Sequence, residues 1–148
     1  MATYIDVTCA IIENKLGQVL VTQRSAQMKL PLKMEFPGGK VEPDESPEES
    51  LIREIKEELN LDIEIVFGMA ANRHSYPDFS INLIPFICRI KGGVIVLSEH
   101  TAFDWVGVDK LMSLDWAEAD IPIVSNYIRK KKENDSSSRI ILAKGRHI

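Results

Sequence analysis

The chain has 148 residues, with 18 Lys and Arg against 22 Asp and Glu, for a net charge of −4. That length suits one domain, and a chain of this size buries roughly 70% of its unfolded surface, so it needs no disulfide or metal staple to fold. A hydrophobic fraction of 45% and a charged fraction of 27% exclude a wholly disordered chain, a collagen and a disulfide scaffold, and the negative balance argues against broad binding of polymeric nucleic acid, which needs a basic surface.

Residues 4 to 23 read as a hairpin: Tyr4 to Ile12 is β-rich, Asn14-Lys15-Leu16-Gly17 is a turn, and Gln18 to Gln23 is β-rich again. Residues 24 to 34 read as irregular, and Phe36-Pro37-Gly38-Gly39 as loop chemistry. Ser46, Pro47 and Glu49 form a capping box with a proline start, so a helix begins there. Leu51, Ile52, Ile55 and Leu59 give it an apolar stripe. Asn60, tolerant of the left-handed conformation, should end it.

Residues 62 to 72 and 79 to 90 are expected to be two strands. Gly92-Gly93 reads as a turn, Val94 to Leu97 as a short strand, and Trp105 to Val108 as a last one. A helix is expected from about Ile121 to Lys132, broken at Asp135-Ser136-Ser137-Ser138. Arg129 to Lys132 would then complement its dipole. The order β-β-α-β-β-β-β-α gives an α+β (mixed α/β) class with a sheet and flanking helices. Residues 1–134 form the expected domain, and 135–148 a tail of undetermined structure.

Cys9 and Cys88, the only cysteines, lie in apolar runs and read as buried free thiols, which gives no case for an oxidising compartment. The first residues lack a signal-peptide pattern, and no run approaches the ~20 apolar residues of a membrane span. The expectation is a soluble, cytoplasmic chain without membrane contact.

The chemistry gathers between Gly38 and Leu61. Glu54, Glu57 and Glu58 lie three and four residues apart on the helix, so they share a face and repel. Arg53 and Lys56 could offset part of that repulsion. A divalent cation would offset more, since carboxylate oxygens suit hard ions. Just before the helix, Gly38 and Gly39 let backbone approach a ligand closely and Lys40 can pair with a phosphate. Together these suggest a metal–phosphate site.

Gly39, Glu45, Arg53, Glu54, Ile55, Glu57, Glu58 and Leu61 stand at the spacing of the Nudix signature, and the chain resembles the Nudix hydrolases at these residues. Among the signature positions only the family's glycine departs, here Asn60. The resemblance implies a mixed sheet sandwiched between helices and hydrolysis of nucleoside diphosphates linked to another group, with Mg2+ or Mn2+. It implies that Glu57 and Glu58 are metal ligands, helped by the Gly38 carbonyl. Glu54 would be a ligand or the group that orients and deprotonates the attacking water, Arg53 a brace for the glutamates, and Glu45 an acid further out. Glu35 to Glu42 looks like the MutT-type branch, in which another acid reaches the metals six residues before a tryptophan; Glu99 and Trp105 have that spacing, and Arg24 matches a substrate-contacting arginine.

Asp120 follows Trp105 by fifteen residues, where MutT carries an asparagine that helps bind 8-oxoguanine. An ionised carboxylate only accepts hydrogen bonds, which suits the amino group of cytosine or adenine. Ala119-Asp120-Ile121-Pro122, with His100 and Trp105 upstream, resembles the CTP pyrophosphohydrolase branch. Asp120 could equally cap the last helix. Tyr76, Phe79 and Phe103 are candidates to stack on a base, with packing as their alternative, and His74 and His100 candidates to touch base or phosphate. The implied reaction converts (d)CTP or a modified pyrimidine nucleotide to the monophosphate and pyrophosphate. The alternatives are an 8-oxo-dGTP diphosphatase and a non-catalytic nucleotide-binding Nudix module. The expected partner is a small nucleotide, with no polymeric nucleic acid, on a monomer or homodimer.

Overall fold

The computed structural model describes residues 3–145. One mixed sheet has the strand order β4-β1-β7-β5, with β6 also on β7: β1 is Tyr4–Ile12, β4 Gly38–Lys40, β5 Leu61–Gly68, β6 Asn72–Ser75 and β7 Ser80–Gly93. A smaller sheet has the order β3-β2-β8, formed by Met34–Glu35, Gln18–Gln23 and Ala102–Gly107. β1 runs parallel to β7, and the other pairings are antiparallel. Helix α1 spans Pro47–Leu59 and α2 Asp120–Gly145.

The pleat of β1 explains the layering. Cys9 and Ile11 belong to the core under α2, with Val19, Val21, Leu83, Ile123, Val124 and Tyr127. Ala10 and Ile12, which point the opposite way, join Leu20, Leu51, Ile55, Leu59 and Cys88 under α1. The strand is therefore buried on both faces, the pattern expected where helices cover both sides of a sheet. Cys9 and Cys88 are buried free thiols, and burial raises the pKa of each.

Several expectations need correction. β1 and β2 share the Asn14–Gly17 turn but are not a paired hairpin: past the bridge Glu13–Val19 they enter different sheets. The reason is burial, since β1 has a long apolar partner in β7 and takes it. The glycine loop is partly regular, because Gly38–Lys40 pairs with Cys9–Val7; a Cβ on Gly38 would lie 1.9 Å from the Thr8 carbonyl oxygen, so only glycine permits that approach. The two strands expected over 62–90 are three. Gly92 and Gly93 do not turn the chain, but extend β7 to pair with Asp62 and Leu61. Val94 to Leu97 is no strand: Ile95 and Leu97 pack against the core under α1 while Val94 and Val96 are exposed, but the segment pairs with no strand among the described residues and stays irregular. α2 continues through Asp135–Ser138 to Gly145; these residues are only mild helix opponents, and no Gly or Pro stands between Pro122 and Gly145. Arg129 to Lys132 therefore sit inside the helix rather than at its end.

α1 follows its sequence signals. Ser46 accepts the Glu49 N–H, Glu49 accepts the Ser46 N–H, and Pro47 opens the helix. Asn60 closes it at φ 60°, ψ 31°, and its amide donates to the Val94 carbonyl at 3.2 Å. Asn60→Gly gains conformational ease and loses that exposed bond, so it should stay within roughly 1 kcal/mol of wild type or gain slightly. Asn60→Val should cost more, because a branched residue resists positive φ. Thermal melts of the two variants check this; equal melting temperatures for wild type and Asn60→Val would rule out the left-handed cap.

Candidate active site

Arg53 organises the acid cluster. Its Nε and Nη2 donate to the two oxygens of Glu45 at 3.0 and 2.6 Å, a bidentate pair. Nη1 donates to Glu54 at 3.0 Å and Glu57 at 3.2 Å, and Nη2 reaches the Lys40 carbonyl at 3.3 Å. One guanidinium thus braces three carboxylates and the glycine loop. Its hydrogen bonds hold the Glu45 carboxyl down to about 2. Lys56 does not join in; it pairs with Asp62 at 3.4 Å.

Glu58 is different. It is buried, its Oε2 is sealed without a partner, and burial pushes its carboxyl up to about 9, reinforced by the charges of Glu54, Glu35 and Glu99 and opposed by a hydrogen bond from the Gly38 backbone. Burial also raises Glu54, with Arg53 opposing. Gly39 makes room for Glu54, since a Cβ there would lie 2.3 Å from the Glu54 carboxyl carbon. Glu99 is exposed on the loop between β7 and β8, close enough for its charge to act on Glu58. Among the described residues no three His, Cys, Asp or Glu side chains are gathered tightly enough to hold an ion unaided; Arg53 occupies oxygens of Glu54 and Glu57. The donors nevertheless fit a divalent cation in kind: hard oxygens, a concentration of negative charge, and one buried carboxylate oxygen lacking a donor.

A cavity of about 350 Å3 starts at this cluster. Its lining brings Glu58, Gly38, Gly39 and Lys40 together with Arg24, Tyr76, Phe79 and Asp120. Asp120 is buried and is the first residue of α2, yet its Oδ2 accepts the Phe36 N–H at 3.0 Å instead of a helix N–H, so the cap that is one of its two sequence readings is not made. Burial raises its carboxyl well above the usual range, with the Glu35 charge adding and the Phe36 N–H and Arg24 opposing. Tyr76 and Phe79 stack at 4.9 Å, and Lys29 lies 4.7 Å over the Phe79 ring. Tyr76 also packs in the core and accepts the Ala119 N–H at 2.8 Å, so it serves both packing and the cavity wall. Phe103 is exposed on β8 and does not line the cavity. His74 pairs with Glu118 at the surface.

Sequence reasoning left two features unassigned. Glu35 takes Arg24 at 2.8 Å on one oxygen and His100 at 2.7 Å on the other, so Arg24 is anchored rather than free. The loop from Ser25 to Lys33 forms a wall of the cavity through Met28, Lys29 and Leu30, with Leu30 and Leu32 at φ 52° and 63°. Left-handed leucines cost roughly 1–2 kcal/mol each, so loop contacts must hold them. Neither feature has a local sequence signal beyond the charge of Glu35.

Comparison with known proteins agrees with this arrangement. Residues 3–127 match the NUDIX domain family model. The chain is 34% identical over 124 residues to the CTP pyrophosphohydrolase of Escherichia coli K12, spanning 84% of this chain and 91% of that protein. It is 26% identical over 125 residues to the 8-oxo-dGTP diphosphatase of the same organism, spanning 84% and 97%. A crystal structure of a MutT protein from Methanosarcina mazei Go1 superposes with a TM-score of 0.80 at 27% identity, covering 88% of this chain and 97% of that one. With Glu54, Glu57 and Glu58 on one helix and the sheet between two helices, the chain belongs to the Nudix family and is a Nudix pyrophosphohydrolase.

Proposed function

We propose that the chain hydrolyses a nucleoside triphosphate, with CTP, dCTP or a modified pyrimidine nucleotide preferred, to the monophosphate and pyrophosphate. The observation that carries this reading is the single cavity that joins Tyr76, Phe79 and Asp120 to Lys40 and Glu58. It offers aromatic faces and a buried carboxylate for a base, then a lysine and carboxylates for phosphates. The similarity to the CTP pyrophosphohydrolase supports the pyrimidine preference.

In this reading Glu57, Glu58 and Glu99, with the Gly38 carbonyl, hold Mg2+ or Mn2+, and Glu54 is either a further ligand or the base that takes a proton from the attacking water. The cation, when bound, neutralises charge developing on the phosphates. Arg53 keeps the glutamates in place through Glu45, Glu54 and Glu57, Lys40 pairs with a phosphate, and Arg24 and Asp120 set the base end. A second reading, an oxidised-purine diphosphatase, draws on the raised Asp120 carboxyl, because a protonated carboxyl donates to a guanine carbonyl. The signature glutamates speak against a binding-only module.

The test is a panel of CTP, dCTP, GTP, dGTP, 8-oxo-dGTP, ADP-ribose and a dinucleoside polyphosphate with Mg2+, scored for pyrophosphate against orthophosphate. Pyrophosphate equal to monophosphate, released fastest from CTP or dCTP, is the expected result. Release of orthophosphate alone, or turnover of ADP-ribose above every triphosphate, would overturn the proposal.

A further inference from the structure

His100 lies behind the cavity, outside its lining. Its side chain is 1% exposed, and Nε2 stands 2.7 Å from Glu35 Oε2. Nδ1 is sealed without any partner. The tautomer that satisfies both facts carries its proton on Nε2: the carboxylate then receives a donor, and the sealed Nδ1 presents a lone pair instead of an orphaned N–H. Glu35 in turn accepts Arg24 Nη1 at 2.8 Å on Oε1. The chain of contacts is therefore His100, Glu35, Arg24, and its last two members line the cavity.

The loop that carries His100 is tied down on both sides. Thr101 N–H donates to the Gln23 carbonyl at 3.0 Å, beside Arg24. Ser98 N–H donates to the Glu58 carbonyl at 3.2 Å, and its hydroxyl to the Glu57 carbonyl at 3.2 Å. One short loop thus touches the end of the acid-bearing helix and the root of the base cavity. Without an N–H from His100, one oxygen of Glu35 loses its donor, and Glu35 already lies in the field of Glu58 and Asp120. A carboxylate so placed turns toward water or another donor, and Arg24 loses its carboxylate partner and keeps only its Nε–H donation to the Lys29 carbonyl.

Building on the nucleotide-hydrolase reading above, we propose that His100 is a positioning residue for substrate recognition: it holds Glu35, and through Glu35 holds Arg24, in the orientation that discriminates bases at the cavity. It touches no reacting atom. Its loss should appear in binding and selectivity before it appears in turnover.

The experiment compares wild type, His100→Ala and His100→Gln, whose amide can donate to Glu35 as the imidazole does. The readouts are calorimetric binding of CMP and GMP without metal, and KM and kcat for CTP with Mg2+. For His100→Ala we expect about tenfold weaker CMP binding and a similar rise in KM, the loss of one charge-assisted hydrogen bond. The CMP-to-GMP affinity ratio should move toward one, with kcat changed less than about threefold. His100→Gln should recover most of the affinity and ratio. If His100→Ala does not fold, His100→Asn, too short to reach Glu35, is read the same way. A folded His100→Ala whose KM and base ratio match wild type overturns the positioning role and leaves the hydrolase reading intact, as does His100→Gln binding no better than His100→Ala. A wild type that binds neither monophosphate and releases no pyrophosphate overturns both.

Discussion

Glu58→Gln should lower kcat by at least about 100-fold with saturating Mg2+, and Glu57→Gln should do the same, a loss comparable to removing one major electrostatic contributor. Each substitution removes a charge at nearly constant shape, so the fold should survive. The two positions differ in a way that separates function from stability. Glu57 is largely exposed and bonded to Arg53, whereas Glu58 is buried with a sealed, unpartnered oxygen among Glu54, Glu35 and Glu99. Burial pushes the Glu58 carboxyl up to about 9, so at neutral pH folding without metal must protonate it; a neutral amide removes that cost, and metal-free Glu58→Gln should melt at or above the wild-type temperature while losing activity. Lost activity with retained stability is the pattern expected where function, rather than folding, requires a buried charge. Turnover near wild type in either variant, or undiminished hydrolysis in excess chelator, would end the metal-dependent reading.

How much was legible from sequence follows from how local each signal is. α1 was readable to its caps because a capping box, a proline start and a left-handed stop are written within a few residues of the structure they cause. The Arg53–Glu54–Glu57 contacts are neighbours on one helix, and Glu45 is only eight residues from Arg53. Partner choice among strands was not readable. The Asn14–Gly17 turn looks like a hairpin turn, yet β1 takes β7, 76 residues away, because both of its faces are apolar. Val94 to Leu97 has strand-like residues but no strand partner. The Glu35–His100 contact spans 65 residues. It exists because β2 lies between β3 and β8 and pairs Thr22 with both Glu35 and Phe103, which brings the start of β8 beside the end of β3. No periodicity or motif within either segment carries that information. At Asp120 the sequence allows a helix cap, and the fold instead turns its carboxylate to the Phe36 N–H.

If the proposed pyrimidine reading holds, the environment of Asp120 should set the base preference and its pH dependence. Burial, then the Glu35 charge, hold its carboxyl protonated to higher pH than usual, against the Phe36 N–H and Arg24; Cys9 and Tyr76 also feel its charge. Below the shifted value Asp120 offers an O–H to a guanine carbonyl; above it, the carboxylate only accepts and suits the amino group of cytosine. CTP and dCTP should therefore exceed GTP and dGTP by about ten- to a hundredfold in kcat/KM on the alkaline side, the worth of one charge-assisted hydrogen bond. The ratio should narrow toward acid, and any 8-oxo-dGTP turnover should fall as pH rises. Because triphosphate ionisation is shared by all the substrates, the ratio isolates the base. The sign for stability is the same: with the folded pKa raised, the Asp120 contribution is full below its unfolded value and is lost as pH rises through the folded one. Asp120→Asn, a fixed neutral amide, should flatten both profiles and shrink the preference. The measurement is kcat/KM for CTP, dCTP, dGTP and 8-oxo-dGTP across pH on wild type and Asp120→Asn, with melting temperatures alongside. If 8-oxo-dGTP is best by a wide margin throughout, the pyrimidine reading is wrong, and the oxidised-purine reading takes its place.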